Sequence, residues 1–285
     1  MSITVSALDI YPIKSCQRVS LTSCAIAATG LENDRLFQLV TDEGTCVTQR
    51  QHSVLATVSP QVTSSGLSVS APGASTIAIA RPRELDTTVK ALLGDEVRVA
   101  DAGDEAAEWF SSIVGASVRL VGMTPDSDRQ IGQPQAVSFA DAGPILVAND
   151  ASLTYLVERA SESFGMDRFR PNIVVAGAAA WVEDSWQSIT IGGSTLAHMM
   201  AWPRCAIPQI DQVTAERHRE PAKVLRSHRW CSSVPDAPGH VRRAVEGNAL
   251  FGVTFTSLDE GAVISVGDEV EVAVTAAPLI PAPPN

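Results

Sequence analysis

Apolar and polar residues alternate from the start of the chain. Ile3, Val5 and Ala7 take every second position, the period of a half-buried strand. A loop, Tyr-Pro-Ile-Lys-Ser-Cys at 11–16, interrupts the pattern. A second strand is predicted over 19–28, stopped by Gly30, and a third over 35–41, which Asp42-Glu43-Gly44 turns into 45–49. Short apolar runs near 56–62, 67–70 and 76–80 are separated by Ser, Gly and Pro, a spacing that suggests a small barrel.

The period then changes. Ala106, Trp109, Phe110 and Ile113 share one face of a helix over 104–114, and Gly115 can end it. A strand over 118–123 leads into a polar stretch, 124–136, rich in Gly and Pro, where a domain boundary is expected. Beyond it the pattern predicts a buried strand over 145–148 and a helix capped by Asp150 and closed by Gly165. Strands are expected at 173–176, 188–191 and 195–201, a short helix at 221–226, and closing strands at 251–255, 263–265 and 269–274. The fold class expected is mainly β with a few helices (α+β), divided into 1–123, 124–275 and a loose Pro/Ala-rich tail, 276–285.

Composition narrows the function. Hydrophobic residues make up 45% and charged residues 19%, so a large core can form. The net charge of −11 disfavours nucleic acid and anionic membrane as partners, and no apolar stretch reaches spanning length. The five cysteines form no C-x-x-C pair, which argues against a zinc ribbon or an iron–sulfur cluster. The five histidines form no H-E-x-x-H pattern, and no G-x-G-x-x-G or Walker A run favours a nucleotide or flavin. The first residues do not read as a signal peptide, so a cytoplasmic location is expected.

The candidate chemistry lies in a few loops. Cys205 sits in Pro-Arg-Cys-Ala-Ile-Pro at 203–208, where Arg204 would favour the thiolate, at once the nucleophile and the soft metal ligand. Lys14 with Ser15, Arg35 and Arg170 each flank the end of a strand, and arginine's planar fork suits phosphate or carboxylate. Pro171 gives Arg170 and Asn172 defined directions, although these residues suit a structural turn equally well. Asp141-Ala142-Gly143 reads first as a loop-to-strand turn, with small residues that would also let a ligand approach the backbone. Glu183-Asp184 is read as structural.

Taken in order, the motifs resemble a known family. Tyr-Pro-Ile-Lys-Ser-Cys, Gly-Leu-x-x-Asp-Arg at 30–35 and Thr-Gln-Arg-Gln at 48–51 resemble the N-terminal β-barrel of MOSC proteins. Phe-Arg-Pro-Asn at 169–172, Glu-Asp-x-Trp at 183–186, Pro-Arg-Cys, Asp-Gln at 211–212, Leu-Phe-Gly at 250–252 and Val-Gly-Asp at 266–268 resemble the MOSC domain itself. Within the family, the resemblance is to amidoxime-reducing components and bacterial reductases of N-hydroxylated bases. It implies two β-barrels with a molybdenum–molybdopterin cofactor between them and Cys205 as the metal ligand and catalytic residue. Lys14, Ser15, Arg35 and Arg170 would hold the pterin and its phosphate, supported by Asn172, with Arg204 and Thr254 also at the cofactor. Asp141, Ala142 and Gly143 would lie beside the metal. The implied reaction removes oxygen from a small N-hydroxylated substrate. Because no cluster-binding cysteines follow Cys231, electrons are expected from a separate ferredoxin, flavoprotein or cytochrome-type protein. The resemblance leaves open a cofactor or sulfur carrier without reductase activity, with Cys205 as a persulfide site, and a binding module that has lost the metal.

Overall fold

The computed structural model describes residues 2–130, 136–141, 143–257 and 259–284. Among them, one sheet of nine strands carries most of the second part. Its order is Val19–Leu21, Thr4–Ile10, Ile173–Ala176, Ile145–Asn149, Asn248–Ser257, Ser194–Pro203, Trp186–Ile191 and Val270–Thr275, with Trp230–Cys231 paired to Asn248–Ser257. Ile145–Asn149 runs parallel to Ile173–Ala176 and antiparallel to Asn248–Ser257. Both its faces are covered, which is why it reads as a continuous apolar run instead of an alternation. Ile145, Val147, Ile173, Val175, Val253 and Phe255 meet in the core beneath it.

A five-stranded sheet, in the order Thr87–Lys90, Glu96–Asp101, Arg119–Gly122, Phe37–Val40, Cys46–Val47, forms the centre of the first part. A three-stranded sheet of Ser59–Thr63, Gly66–Ser70 and Ile77–Ala80 packs beside it. The helix Asp104–Val114 buries Ala106 and Phe110 against this layer and ends on left-handed Gly115, as its period predicts. The fold is mostly β with a few helices, in agreement with the expected class.

Several expectations are corrected. The division into 1–123 and 124–275 is not among them, although Thr4–Ile10 reaches across it to pair antiparallel with Ile173–Ala176, Leu8 opposite Ile173. The predicted strand 19–28 is two strands in different sheets, broken at Thr22. Arg35 does not begin a strand: its backbone is left-handed (φ 51°) and the strand starts at Phe37. Asp150 is not the cap, since the Asn149 side chain accepts from Ala151 N (3.0 Å), and the helix Asp150–Val157 ends well before Gly165. Two strands, Thr87–Lys90 and Glu96–Asp101, and the helix Gly239–Val245 escape the sequence reading. The tail is not loose: Leu279 and Ile280 pack against a small core, and Tyr155 Oη donates to Pro284 O (2.8 Å). Glu183 and Asp184 lie on a short 3-10 helix, not a strand, and both are structural. Glu183 accepts from Ser152 Oγ (2.6 Å) and Asn149 Nδ2 (3.0 Å), while Asp184 pairs with fully buried Arg229.

The two parts are joined by a buried polar knot. Gln49, from the loop after Cys46–Val47, donates to Ser15 O (2.6 Å) and exchanges amide hydrogen bonds with Gln212 (3.0 and 3.2 Å). Gln212 also accepts from Arg170 Nη1 (3.1 Å), and Gln17 donates to Gln212 O (3.2 Å). Residues of both parts are thereby held in one register. Among the described residues, no helix is long and apolar enough to cross a membrane.

Candidate functional site

A cleft of about 380 Å³ lies between the two parts. Lys14, Ser15, Arg35, Asp141, Gly143, Arg170, Asn172, Arg204, Cys205 and Thr254 all line it, so the structure brings together ten of the eleven residues singled out in the sequence. The eleventh, Ala142, lies outside the described residues. Three of the six described non-glycine residues with left-handed backbone, Ser15, Arg35 and Arg170 (φ 70°, 51° and 55°), line this cleft. Backbone strain of this kind concentrates where the fold must aim side chains at a ligand.

The cations are built in by the surrounding strands. Lys14 N bonds Phe37 O (2.8 Å), which fixes the 11–16 loop on the first part's central sheet. Its ammonium then crosses to donate to Phe139 O (2.6 Å) and pairs with Asp141. Arg35 donates to Asn172 Oδ1 (2.9 Å) and Arg170 O (3.2 Å) and pairs with buried Asp34. The guanidinium groups of Arg35 and Arg170 both lie over the Tyr11 ring, at 4.6 and 4.1 Å from its centre. Asn172 is a buried brace, taking Leu146 N (3.1 Å) on its oxygen and giving its amide to Asp9 O (3.2 Å). Gly143 has its own steric reason: a Cβ there would meet the Thr254 side chain at 2.7 Å.

Cys205 follows the strand Ser194–Pro203 and is exposed, whereas Cys16, Cys24, Cys46 and Cys231 are buried. The guanidinium at its sulfur is not the adjacent Arg204 but Arg50. Arg50 Nη2 stands 3.1 Å from Cys205 Sγ and 3.3 Å from Asp141 Oδ2, bridging first part to second. Arg204 turns away to donate to Phe169 O (2.6 Å) and lies over the Phe169 ring. The sequence reading used Thr-Gln-Arg-Gln at 48–51 only as a landmark and missed Arg50 as a site residue. The available signal was a lone arginine in a loop between short strands. Leu92, Leu93, Met200 and Trp202, which also line the cleft, were missed as well.

The electrostatics are one-sided. Among the described lining residues, five cations, Lys14, Arg35, Arg50, Arg170 and Arg204, face one carboxylate, Asp141, inside a chain of net charge −11. Burial works to raise the Asp141 carboxyl, but Lys14, Arg50 and Arg35 outweigh it and hold it well below the usual carboxylate range. Burial lowers Arg204 to about 10, against the opposing pull of Cys205 and Asp141. Burial likewise lowers Arg170. Burial also opposes the charge on Arg50, yet Cys205 and Asp141 more than compensate and raise it. Arg204 Nε and Nη1 and Arg50 Nη1 are buried and meet no acceptor among the described residues. Buried donors of this kind call for an acceptor. A cleft with surplus cations, orphaned guanidinium donors and one accessible sulfur fits an anionic group that carries a thiophilic metal.

Comparison with known proteins gives the family. Residues 2–117 match the MOSC N-terminal beta barrel domain and residues 134–271 match the MOSC domain. Mitochondrial amidoxime reducing component 2 of Bos taurus is 32% identical over 94% of this chain and 82% of its own length, and mitochondrial amidoxime-reducing component 1 of Mus musculus is 34% identical over 94% and 81%. Molybdenum cofactor sulfurase of Danio rerio is 29% identical over 81% of this chain but only 31% of that protein. Among solved structures, the YuaD protein of Bacillus subtilis covers 95% of this chain at 12% identity with a TM-score of 0.37. With both domains matched in order, and with relatives aligned over most of their own length, the chain belongs to the MOSC family.

Proposed function

We propose that the protein is a molybdenum-cofactor-dependent reductase of N-hydroxylated compounds. One observation carries the reading: the chain's exposed thiol shares a cleft with five cations, two of which keep buried donors without acceptors. The names of the amidoxime-reducing relatives supply the substrate class. Lys14, Ser15, Arg35 and Arg170 would hold the pterin and its phosphate, braced by Asn172. Arg204 and Thr254 would complete the pocket, and Asp141, Ala142 and Gly143 would lie beside the metal. When bound, the molybdenum centre supplies the two-electron chemistry that removes oxygen from nitrogen.

The chain's own residues have separate tasks. Cys205 offers the soft donor that a thiophilic metal takes. Arg50 holds that sulfur and the Asp141 carboxylate from one planar fork, so the two second-part groups keep a fixed spacing from the first part. Asp141 remains ionised near neutrality and acts as a fixed charge for Lys14 and Arg50, not as a proton donor. The Gln49–Gln212 knot keeps Ser15 and Arg170 in register. Electrons would come from a separate ferredoxin, flavoprotein or cytochrome-type donor. The free thiols suit a reducing compartment such as the cytoplasm.

The test is turnover. Protein loaded with molybdenum cofactor and supplied with a reduced dye should convert an amidoxime to the amidine, and fully loaded protein that forms no amidine refutes the reading. A second reading, a cofactor or sulfur carrier, draws on the sulfurase relative and on the exposure of Cys205. Intact mass of the isolated protein separates them, because a carrier would show one added sulfur on Cys205.

A further inference from the structure

Resting on the reductase reading above, we propose that the mouth of the cleft is a subsite for a flat, apolar substrate body. Trp202 and Met200 from the second part and the Leu92-Leu93 turn from the first would form it. The lining divides by chemistry. The cations suit the anionic phosphate of a cofactor, whereas the leucines at the rim offer it neither charge nor a hydrogen bond.

The two leucines are hard to explain by folding. They sit in the turn between Thr87–Lys90 and Glu96–Asp101, closed by Ala91 N to Asp95 O and Gly94 N to Ala91 O, both 2.9 Å. Such tips normally take Gly, Asn, Asp or Ser. Val89 and Ala91 beside them pack into a core cluster, but among the described residues neither Leu92 nor Leu93 joins one. Leu93 remains 63% exposed while lining the cleft that holds Cys205. An apolar side chain kept in water at the edge of a reaction cleft is placed to cover an apolar ligand.

The other wall comes from Ser194–Pro203. Met200 and Trp202 both line the cleft, and Met200 also packs against the small core of Ala201, Cys231, Val245 and Leu250, where the strand's pairing with Asn248–Ser257 is irregular on either side of Met200–Ala201. Trp202 precedes Cys205 by three residues, a separation of at most about 10 Å along the chain. A ring lying on the indole would therefore leave an attached N-hydroxy group within reach of the sulfur. The indole face and the thioether are both good partners for a planar ring.

The experiment compares benzamidoxime with acetamidoxime, which share the reacting head and differ by a ring against a methyl. With cofactor-loaded enzyme and a reduced dye, kcat/KM for benzamidoxime over acetamidoxime should fall about tenfold in Trp202→Ala and about threefold in Leu93→Ser, the scale of one lost apolar contact or two. A ratio unchanged in both variants, with both substrates still reduced, overturns the subsite and leaves the reductase reading standing. A binding readout needs no turnover: benzamidine should quench the fluorescence of wild-type enzyme saturably, and Trp202→Phe should lose that quench. If wild type reduces neither amidoxime, the reductase reading fails and the titration judges the subsite alone. A quench that persists in Trp202→Phe, or none in wild type, overturns it.

Discussion

Replacing Gln212 by Leu tests whether the two parts must be locked together for the cleft to work. Gln212 is 7% exposed and Gln49 fully buried, so water cannot replace the lost contacts. The substitution removes the acceptor for Arg170 Nη1 (3.1 Å), a charged hydrogen bond worth about 1.5–3 kcal/mol. It also strands Gln49 Oε1, whose donor is Gln212 Nε2 (3.2 Å), at about 1–3 kcal/mol for an unsatisfied buried acceptor. Arg170 keeps Cys16 O (2.7 Å) and Gln49 keeps Ser15 O (2.6 Å), and the leucine gains some apolar burial. A net loss of about 3 kcal/mol is expected. At about 2 °C per kcal/mol for a chain of this size, the melting temperature should drop by about 6 °C. Because the same knot aligns Arg170 with Ser15 and the loop carrying Arg50, bound molybdenum per chain should fall as well. Differential scanning calorimetry with metal analysis of the same sample checks both. A variant that melts within about 1 °C of wild type, a shift too small for one stranded buried acceptor, and binds as much molybdenum refutes the reasoning.

Three further outcomes follow from the site. Cys205→Ser should lose most of its molybdenum while melting within about 1 °C of wild type, because the exposed side chain supports little packing and a hydroxyl is a poor soft-metal donor. Asp141 is pushed up by burial but held down more strongly by Lys14 and Arg50, so its stabilising contribution is present above the unfolded value of about 4 and lost as pH falls below it. Asp141→Asn should therefore flatten the acid limb of a stability–pH profile measured by urea unfolding. Glu183 shifts the other way, raised by burial and then by the neighbouring Asp184 charge, so its contribution is full below the unfolded value of about 4.3 and is lost as pH rises toward neutrality. Glu183→Gln should remove that decline, and an identical profile for variant and wild type would contradict the assignment.

Much of the fold was legible because the local period and the burial agreed. Ile173–Ala176 and the helix Asp104–Val114 lie where their patterns place them, since each buries the face that the sequence marks. The failures have physical causes. Thr87–Lys90 carries a single apolar residue, Val89, and a leucine-bearing turn follows it, which blurs the hairpin. Glu96–Asp101 does alternate, with Val97 and Val99 buried between exposed Glu96 and Arg98, and that signal was overlooked. The pairing of Thr4–Ile10 with Ile173–Ala176 spans most of the chain and no local pattern encodes it. At the site, single loops proposed Lys14, Arg35, Arg170 and Cys205, and their convergence depended on the fold. Arg204 was credited with the sulfur because it is adjacent in sequence, but neighbours on an extended backbone point apart and Arg50 reaches the sulfur from the other part. The Ala/Pro composition of the tail concealed Leu279 and Ile280, which dock it.

The central claim is that this cleft binds a molybdenum–pterin group through its cations and Cys205. Molybdenum and pterin content should be measured on protein purified from a host that makes the cofactor, alongside Arg35→Met. Near-stoichiometric amounts of both in wild type, with the pterin depleted in the variant, are expected. Wild-type protein free of both, from cells whose other molybdenum enzymes are loaded, would contradict the account.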